Sequence, residues 1–421
     1  MSFQQGLSGL NSAAKGLDVI GNNIANTNTV GFKSSTAQFA DVYASSLTGA
    51  GATSVGIGTK LAAVSQEFSQ GNLTTTNNPL DIAINGGGFF RMSDNGAITY
   101  SRNGQFLLDK DGYVTNSQGL TLTGYRADVN GNIIPSAPLD IQIPPGDIAP
   151  RATTSATAVL NIDSRSAQPA NAPFDPSDPG SFNNSTSLSV YDSLGNPHIV
   201  SYYFVKTALP NQWDMYATAD GTATSNVDLG GGAGVAASLT FNTSGQLTSA
   251  MPLTATIDLG QVATDLGQVN GATTPLSFAV DMRGTTQFGG PFGVNSLAQD
   301  GFTSGRLAGL SVSQDGLISG RYTNGQSRNL AQVVLSSFNN PQGLKPLGNN
   351  QWSETADSGP SQVGVPGSGA LGALTPAAVE DSNVDITAEL VNMITMQRAY
   401  QANAQTIKTQ DSLLQTIVNL R

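Results

Sequence analysis

The 421-residue chain has no cysteine and a single histidine, His198. The first absence excludes disulfide scaffolds, zinc ribbons, iron–sulfur clusters and thiol catalysis. The second excludes a histidine metal cluster or an acid–base pair of imidazoles. Charge is scarce too: Asp, Glu, Lys and Arg make up 11%, less than half the roughly 25% of an ordinary soluble protein. Eighteen basic residues against 29 acidic ones give a net charge of −11 and no electrostatic footprint for nucleic acid. No run approaches the roughly 18 consecutive apolar residues of a membrane span. The opening MSFQQGLSGLNSAAKGL lacks the basic and apolar regions of a secretory signal, which taken alone points to the cytoplasm.

What is present is a long β-rich middle between two helical ends. The 48 Gly and 20 Pro stay below the roughly 25–30% that marks low-complexity disorder, so a packed core is possible. Near the start, Phe3, Leu7, Leu10, Ala14, Leu17, Gly21 and Ile24 follow a 4-3-4-3-4-3 heptad spacing. Ser2 with Gln5 reads as a capping box. At the other end Ile386, Met393, Tyr400, Ile407 and Leu414 stand seven apart, with Leu390 in the second seam position. No Gly or Pro interrupts 386–421, which at 1.5 Å per residue predicts a helix about 50 Å long. The first helix carries Gly6, Gly9, Gly16 and Gly21, each costing roughly 0.8–1 kcal/mol against Ala. It should order only against partners, where missing side chains let backbones approach. A bundle made between chains is the expected setting, with a hairpin closed on its own chain as the blander one.

Between the ends the period changes to two, and turn dipeptides recur at Asn95-Gly96, Asn103-Gly104, Asp111-Gly112 and Asn130-Gly131. The same grammar returns at Asp315-Gly316 and Asn324-Gly325. The spacing predicts a mainly β fold with a terminal α-helical coiled coil and nested, discontinuous domains. Residues 1–30 and 382–421 form the helical ends; 31–71 and 357–381, rich in Gly, Ser and Thr, form extended connectors. An inner β-domain takes 72–145 and 284–356, and 146–283 are an inserted outer β-domain.

Enzymatic patterns fail one by one. Ser12-Ala13-Ala14-Lys15 matches S-x-x-K on the heptad helix, but without its companion motifs. Gly86-Gly87-Gly88 precedes the strand residues Phe89 and Phe90, not a helix whose N-terminus would hold a phosphate. Asp109-Lys110-Asp111-Gly112 starts like a calcium loop, yet position twelve is Leu120 and a hairpin turn fits better. No catalytic, metal or cofactor site is expected. His198 follows Asn196-Pro197 and reads as a solvated turn residue.

The ends carry more than periodicity. Leu7-Ser8-Gly9-Leu10 and the run Leu17-Asp18-Val19-Ile20-Gly21-Asn22-Asn23-Ile24-Ala25-Asn26-Thr27-Asn28-Thr29-Val30-Gly31-Phe32-Lys33 closely resemble the N-terminal signature of bacterial flagellar axial proteins. Ser382-Asn383-Val384-Asp385, Glu389-Leu390 and Gln397-Arg398-Ala399-Tyr400-Gln401-Ala402-Asn403 match the companion signature of rod and hook subunits. Phe39 to Tyr43 fits the short F-x-x-x-apolar pattern of their export substrates. The inserted domain makes the chain most similar to the hook branch of that family. The resemblance implies a structural homopolymer: a flexible curved tube that transmits torque from rod to filament around a central export channel. It also implies extracellular placement in the hook, with export through the flagellar type III gate and no cleaved signal peptide, which replaces the cytoplasmic reading. Implied partners are further copies of the chain, the distal rod protein, the hook cap, the hook-length control protein and the hook–filament junction proteins. The seam residues Leu7, Leu10, Leu17, Ile24, Ile386, Leu390, Met393, Tyr400, Ile407 and Leu414 would be the subunit contacts. Asn22, Asn23, Asn26, Gln397, Arg398 and Asn403 would set register. Another axial protein (distal rod or hook–filament junction) is the near alternative; a secreted carbohydrate-binding β-protein on a helical stalk is the distant one.

Overall fold

The computed structural model describes residues 2–42 and 56–419, with side chains over 3–42 and 56–416. The chain falls into two compact units. One comprises Met1–Pro145, Ala308–Arg321 and Ser327–Arg421; the other comprises Gly146–Leu307 and Tyr322–Gln326. Three α-helices occur among the described residues: α1 (Ser2–Ala25), the short α2 (Leu259–Asp265) and α3 (Ile386–Asn419). Strands dominate the rest, and the fold is mainly β as expected.

In the Gly146–Leu307 unit two sheets face each other. Four antiparallel strands run in the order Asn184–Tyr191, Pro197–Lys206, Gln212–Ala219 and Ala237–Thr240. The facing five-stranded sheet is mixed, with Ser155–Asn161 parallel to Leu276–Asp281 and antiparallel to Gly293–Gln299. Alternate residues point inward, as in Val200, Tyr202 and Phe204, and meet Ala158, Leu160 and Phe278 from the other sheet in one core. Trp213 is wholly buried there and donates its indole N–H to Gln287 Oε1 at 3.2 Å. The unit's main segment runs on to Leu307, past the expected limit at Arg283, because Gly293–Gln299 pairs with Ser155–Asn161 and stays with the sandwich. Helix α2 was not anticipated; Asp258 caps it by accepting from the Gly260 and Gln261 N–H groups at 3.0 and 3.1 Å.

The other unit is organised around a 13-stranded sheet. Its central neighbours are Ser327–Val333, Thr121–Arg126, Phe89–Asp94, Ala97–Ser101, Gln351–Ser353 and Lys345–Gly348. Ile82, Ile84, Phe90, Met92, Phe106, Leu122 and Ile141 are its fully buried core. An aromatic cluster of Phe68, Phe89, Tyr100, Phe338 and Trp352 packs edge to face at centroid distances of 4.7–5.9 Å.

The hairpins share a five-residue grammar wider than the dipeptides suggest. Asp109, Asn116, Asp128, Asp192, Asn242 and Ser313 each stand three residues before a glycine, Gly112, Gly119, Gly131, Gly195, Gly245 and Gly316. In every case the first residue's side-chain oxygen accepts the backbone N–H four residues on. The glycine sits at φ +75° to +84°, where a Cβ costs roughly 1–2 kcal/mol. The Asp109 turn is therefore a hairpin and not an ion loop.

The expected connectors are not plain extended chain. Within 31–71, β1 (Ser35–Val42) and β2 (Gly58–Gln66) pair antiparallel with a register shift between Gln38 and Phe39. Within 357–381, Gln362–Gly364, Ala373–Pro376 and Ala378–Glu380 pair with Leu335–Ser337, Ile82–Asn85 and Leu73–Thr75 respectively. Each is held by backbone bonds to a strand distant in sequence, which composition does not reveal. The terminal helices share one unit with this sheet instead of standing as a separate domain.

Candidate assembly surface on the terminal helices

Helices α1 and α3 lie antiparallel against each other within one chain. A Cβ on Gly6 would stand 3.1 Å from Ile407 Cγ1, one on Gly9 2.7 Å from Asn403 Oδ1, and one on Gly16 3.3 Å from Met396 Sδ. Asn23 meets Glu389 further along. Rising numbers on α1 thus match falling numbers on α3. The row that packs is Gly6, Gly9, Ala13, Gly16, Ile20 and Asn23, one position around the helix from the leucine row expected as the seam. The close approach that the glycines require is met inside the chain, which is the blander of the two settings above. Of the α1 glycines, only Gly21 has nothing within 4 Å among the described residues.

That one-position offset leaves the leucine row unsatisfied. Leu7 is 44% exposed, and Leu10, Leu17 and Ile24 are half-buried. On α3 the inward row is Glu389, Met393, Met396, Asn403 and Ile407, all half-buried. Ile386, Leu390 and Leu414 lie outside it and are exposed, Leu390 by 46%, and Tyr400 is exposed at the edge of the contact. Phe3, Val391, Ile394 and Leu413 add to the uncovered apolar surface. Of the expected seam, then, the chain itself brings Met393 and Ile407 toward its own α1, while Leu7, Ile386, Leu390 and Leu414 face outward.

The register asparagines divide in the same way. Asn23 is 0% exposed. Its Oδ1 accepts the Ser35 N–H at 2.9 Å, and its Nδ2 donates to the Ser35 carbonyl at 2.8 Å and to Glu389 Oε1 at 3.0 Å. One side chain thereby ties α1, the start of β1 and α3 together. Asn403 packs on Gly9 and donates to its own helix at the Ala399 carbonyl, 2.9 Å. Asn22 and Asn26 line a polar cavity of about 260 Å³ with Asn349, Asn350 and Trp352. Gln397 and Arg398 are exposed. The capping box is not closed by Gln5, whose amide instead donates to the Gly56 carbonyl at 2.6 Å. Phe39 is partly exposed on β1, and Tyr43 lies outside the described residues.

Sequence reasoning missed the buried ionic node where the helices join the sheet. Glu380 is fully buried, and its Oε1 accepts Lys33 Nζ at 2.6 Å and the Gly71 N–H at 3.0 Å. Its Oε2 accepts Arg102 Nη1 at 3.0 Å, and Arg102 also donates to the Gly86 carbonyl at 2.9 Å. Burial holds the Lys33 ammonium below its ordinary pKa; Glu380 opposes that and the Arg102 charge adds to it. Asn383 sews the same region, accepting from the Ser34 N–H at 2.7 Å and donating to the Glu67 carbonyl at 2.8 Å. Lys33 and Asn383 lie in the signature runs, so that much was visible; Arg102 and Glu380 carried no local signal. Gly86, at φ +115°, crowds Gly372 and supplies one of these carbonyls, so the glycine run serves packing.

In the Gly146–Leu307 unit the one imidazole is not free in solvent. His198 Nδ1 lies 2.6 Å from Asp220 Oδ2 and its Nε2 3.4 Å from Asp192 Oδ2. The Asp220 hydrogen bond raises its pKa against the opposing effect of burial, and Asp192 helps. Among the described residues no group of three or more His, Cys, Asp or Glu is placed to hold a metal ion. Nor, among them, is any helix long and apolar enough to cross a membrane.

Four family models match along the chain. They are the flagella basal body rod protein model over residues 3–33, the flagellar hook protein FlgE/F/G D1 domain over 83–163, the flagellar basal body protein FlaE D2 domain over 161–302, and the flagellar basal body rod FlgEFG protein C-terminal model over 375–420. The flagellar hook protein FlgE of Escherichia coli strain K12 is 44% identical over 429 residues, covering 100% of both chains. That of Borreliella burgdorferi is 32% identical, over 100% of this chain and 99% of its own. The crystal structure of Helicobacter pylori flagellar hook protein FlgE2 overlays with a TM-score of 0.49 at 14% identity, over 72% of this chain and 98% of that one.

Proposed function

The chain belongs to the flagellar hook protein family and is a hook subunit, and from that premise we propose how its terminal helices build the polymer. Within one chain, α1 and α3 close on the glycine row of α1, leaving the leucine rows with Leu7, Ile386, Leu390 and Leu414 outward and Leu10, Leu17 and Ile24 half-covered. Those rows are the contacts between copies. Removing a leucine from water is worth roughly 1.5–3 kcal/mol, so a handful per subunit suffices to drive association. The observation that carries this reading is the offset itself: the most apolar stripe of α1 is one its own chain covers only in part.

The copies wind into a tube whose helices line the export channel. Gly-rich, weakly charged β surfaces slide between near-equal packings as the tube bends and transmits torque. The subunit is structural and has no catalytic role. It leaves the cell unfolded through the flagellar type III gate, without cleavage of a signal peptide; absence of cysteine and a glycine-interrupted α1 support a chain that threads easily. Phe39 and Tyr43 belong to the segment read during export. At its ends the tube meets the distal rod protein and the hook–filament junction proteins, and during growth the hook cap and the length-control protein. Electron microscopy of polymer grown from purified chain tests this reading: curved hollow tubes are expected, and straight rods or persistent monomer would overturn it.

A further inference from the structure

The pocket between α1, β1 and α3 holds a charge that its own chain leaves half-answered. It encloses about 220 Å³. Gly16, Ile20 and Met396 form an apolar wall, and Ser35, Asn392 and Glu389 a polar one. Glu389 is the only charged residue among those that line it. Its Oε1 accepts from Asn23, but its Oε2 is closed off from solvent with no hydrogen-bond partner among the described residues. A carboxylate oxygen left so is costly unless a cation reaches it.

Helices α1 and α3 offer three described cations. Lys15 already pairs with Asp18 at 3.1 Å. Lys408 and Arg398 are exposed and unpaired among the described residues. Arg398 follows Glu389 by nine residues, about two and a half helical turns at 3.6 residues each. The two groups therefore point to opposite sides of α3 and cannot meet within one chain. They can meet between chains, and only head to tail, since the donor surface and the acceptor surface differ. A contact of that kind does not close on itself as a two-fold dimer does, and it generates an open helical polymer. A guanidinium suits such a contact because it is planar, weakly hydrated and offers paired N–H donors to a carboxylate. Lys408 stands at about 100° around the helix from Glu389 and lacks this back-to-front placement.

We propose that in the polymer Arg398 of one copy enters the Glu389 pocket of the next and pairs with its carboxylate, fixing the register between neighbouring α3 helices. This rests on the hook-subunit reading above. The test uses purified full-length chain, with the critical concentration for polymerisation read by sedimentation. Arg398→Glu and Glu389→Lys should each raise it by about thirtyfold or more, the effect of breaking one buried charge pair. An equimolar mixture of the two variants should polymerise near the wild-type concentration, because each supplies the charge the other lacks, in alternation. Rescue by mixing is something a misfolded chain cannot show. If Glu389→Lys loses helix by circular dichroism, exposed Arg398 decides: Arg398→Ala should match Arg398→Glu, with Arg398→Lys partly restored. Wild-type behaviour of Arg398→Glu, or a mixture of folded variants no better than either alone, overturns the pairing. A wild-type chain that never polymerises overturns the hook reading as well.

Discussion

Replacing Glu380 by Gln is the sharpest probe of what joins the terminal helices to the sheet. The carboxylate is fully buried and meets Lys33 at 2.6 Å and Arg102 at 3.0 Å, both themselves almost wholly buried. The amide keeps the shape and removes the charge, so two cations remain in the interior without a counter-charge. Breaking a buried ion pair in this way costs about 3–5 kcal/mol, because the orphaned partners cannot rehydrate. The exposed Lys15–Asp18 pair, with both side chains more than half accessible, sets the contrast: removing it should cost less than about 1 kcal/mol. The assay is urea unfolding followed by tryptophan fluorescence. The two tryptophans report separately, Trp352 from the unit holding the node and Trp213 from the sandwich. With slopes of about 1–3 kcal/mol per molar urea, the Trp352 transition should fall by about 1–5 M while the Trp213 transition stays in place. The deficit should shrink as pH rises toward 10.5, the ordinary lysine value: without Glu380, which opposes the effect of burial, Lys33 sheds its proton at lower pH in the folded variant than in the folded wild type, so the variant gains stability with pH first. A Glu380→Gln chain whose Trp352 midpoint moves no more than that of Lys15→Ala would refute the reasoning.

Gly9→Val should break the α1–α3 contact, since its Cβ would stand within 2.9 Å of three Asn403 side-chain atoms; far-UV dichroism should show the lost helix, and Asn403→Ala should restore part of it. The double variant Leu7→Asp, Leu390→Asp should leave monomer stability within about 0.5 kcal/mol per site while abolishing polymerisation, because both side chains are exposed in the single chain; polymer of normal yield would count against the leucine rows as subunit contacts. The sandwich should be more stable at mildly acidic than at alkaline pH: His198 has a raised folded pKa, so its contribution is complete below about 6.5 and is lost as pH climbs through the folded value. His198→Gln should flatten that dependence in Trp213-detected melts, and an unchanged slope would sink the assignment.

Local chemistry was legible from the residues alone. Alternation marked strands, Asn-Gly and Asp-Gly dipeptides marked turns, the Gly- and Pro-free 386–421 run marked α3, and the terminal signatures marked the family. Each depends on neighbours a few positions apart along one backbone. What lay beyond reach was which of two adjacent helical rows the chain would cover for itself. Hydrophobic periodicity points to leucines, whereas close helix packing selects the row with least side chain, and glycine adds nothing to an apolar count. The same limit hid the Lys33–Glu380 pair, separated by 347 positions, and the β1–β2 pairing within 31–71, whose first strand ends at Val42 and whose second begins only at Gly58. Composition and period describe what each segment can do by itself; the fold decides which of those surfaces meet inside the chain and which are left for another copy.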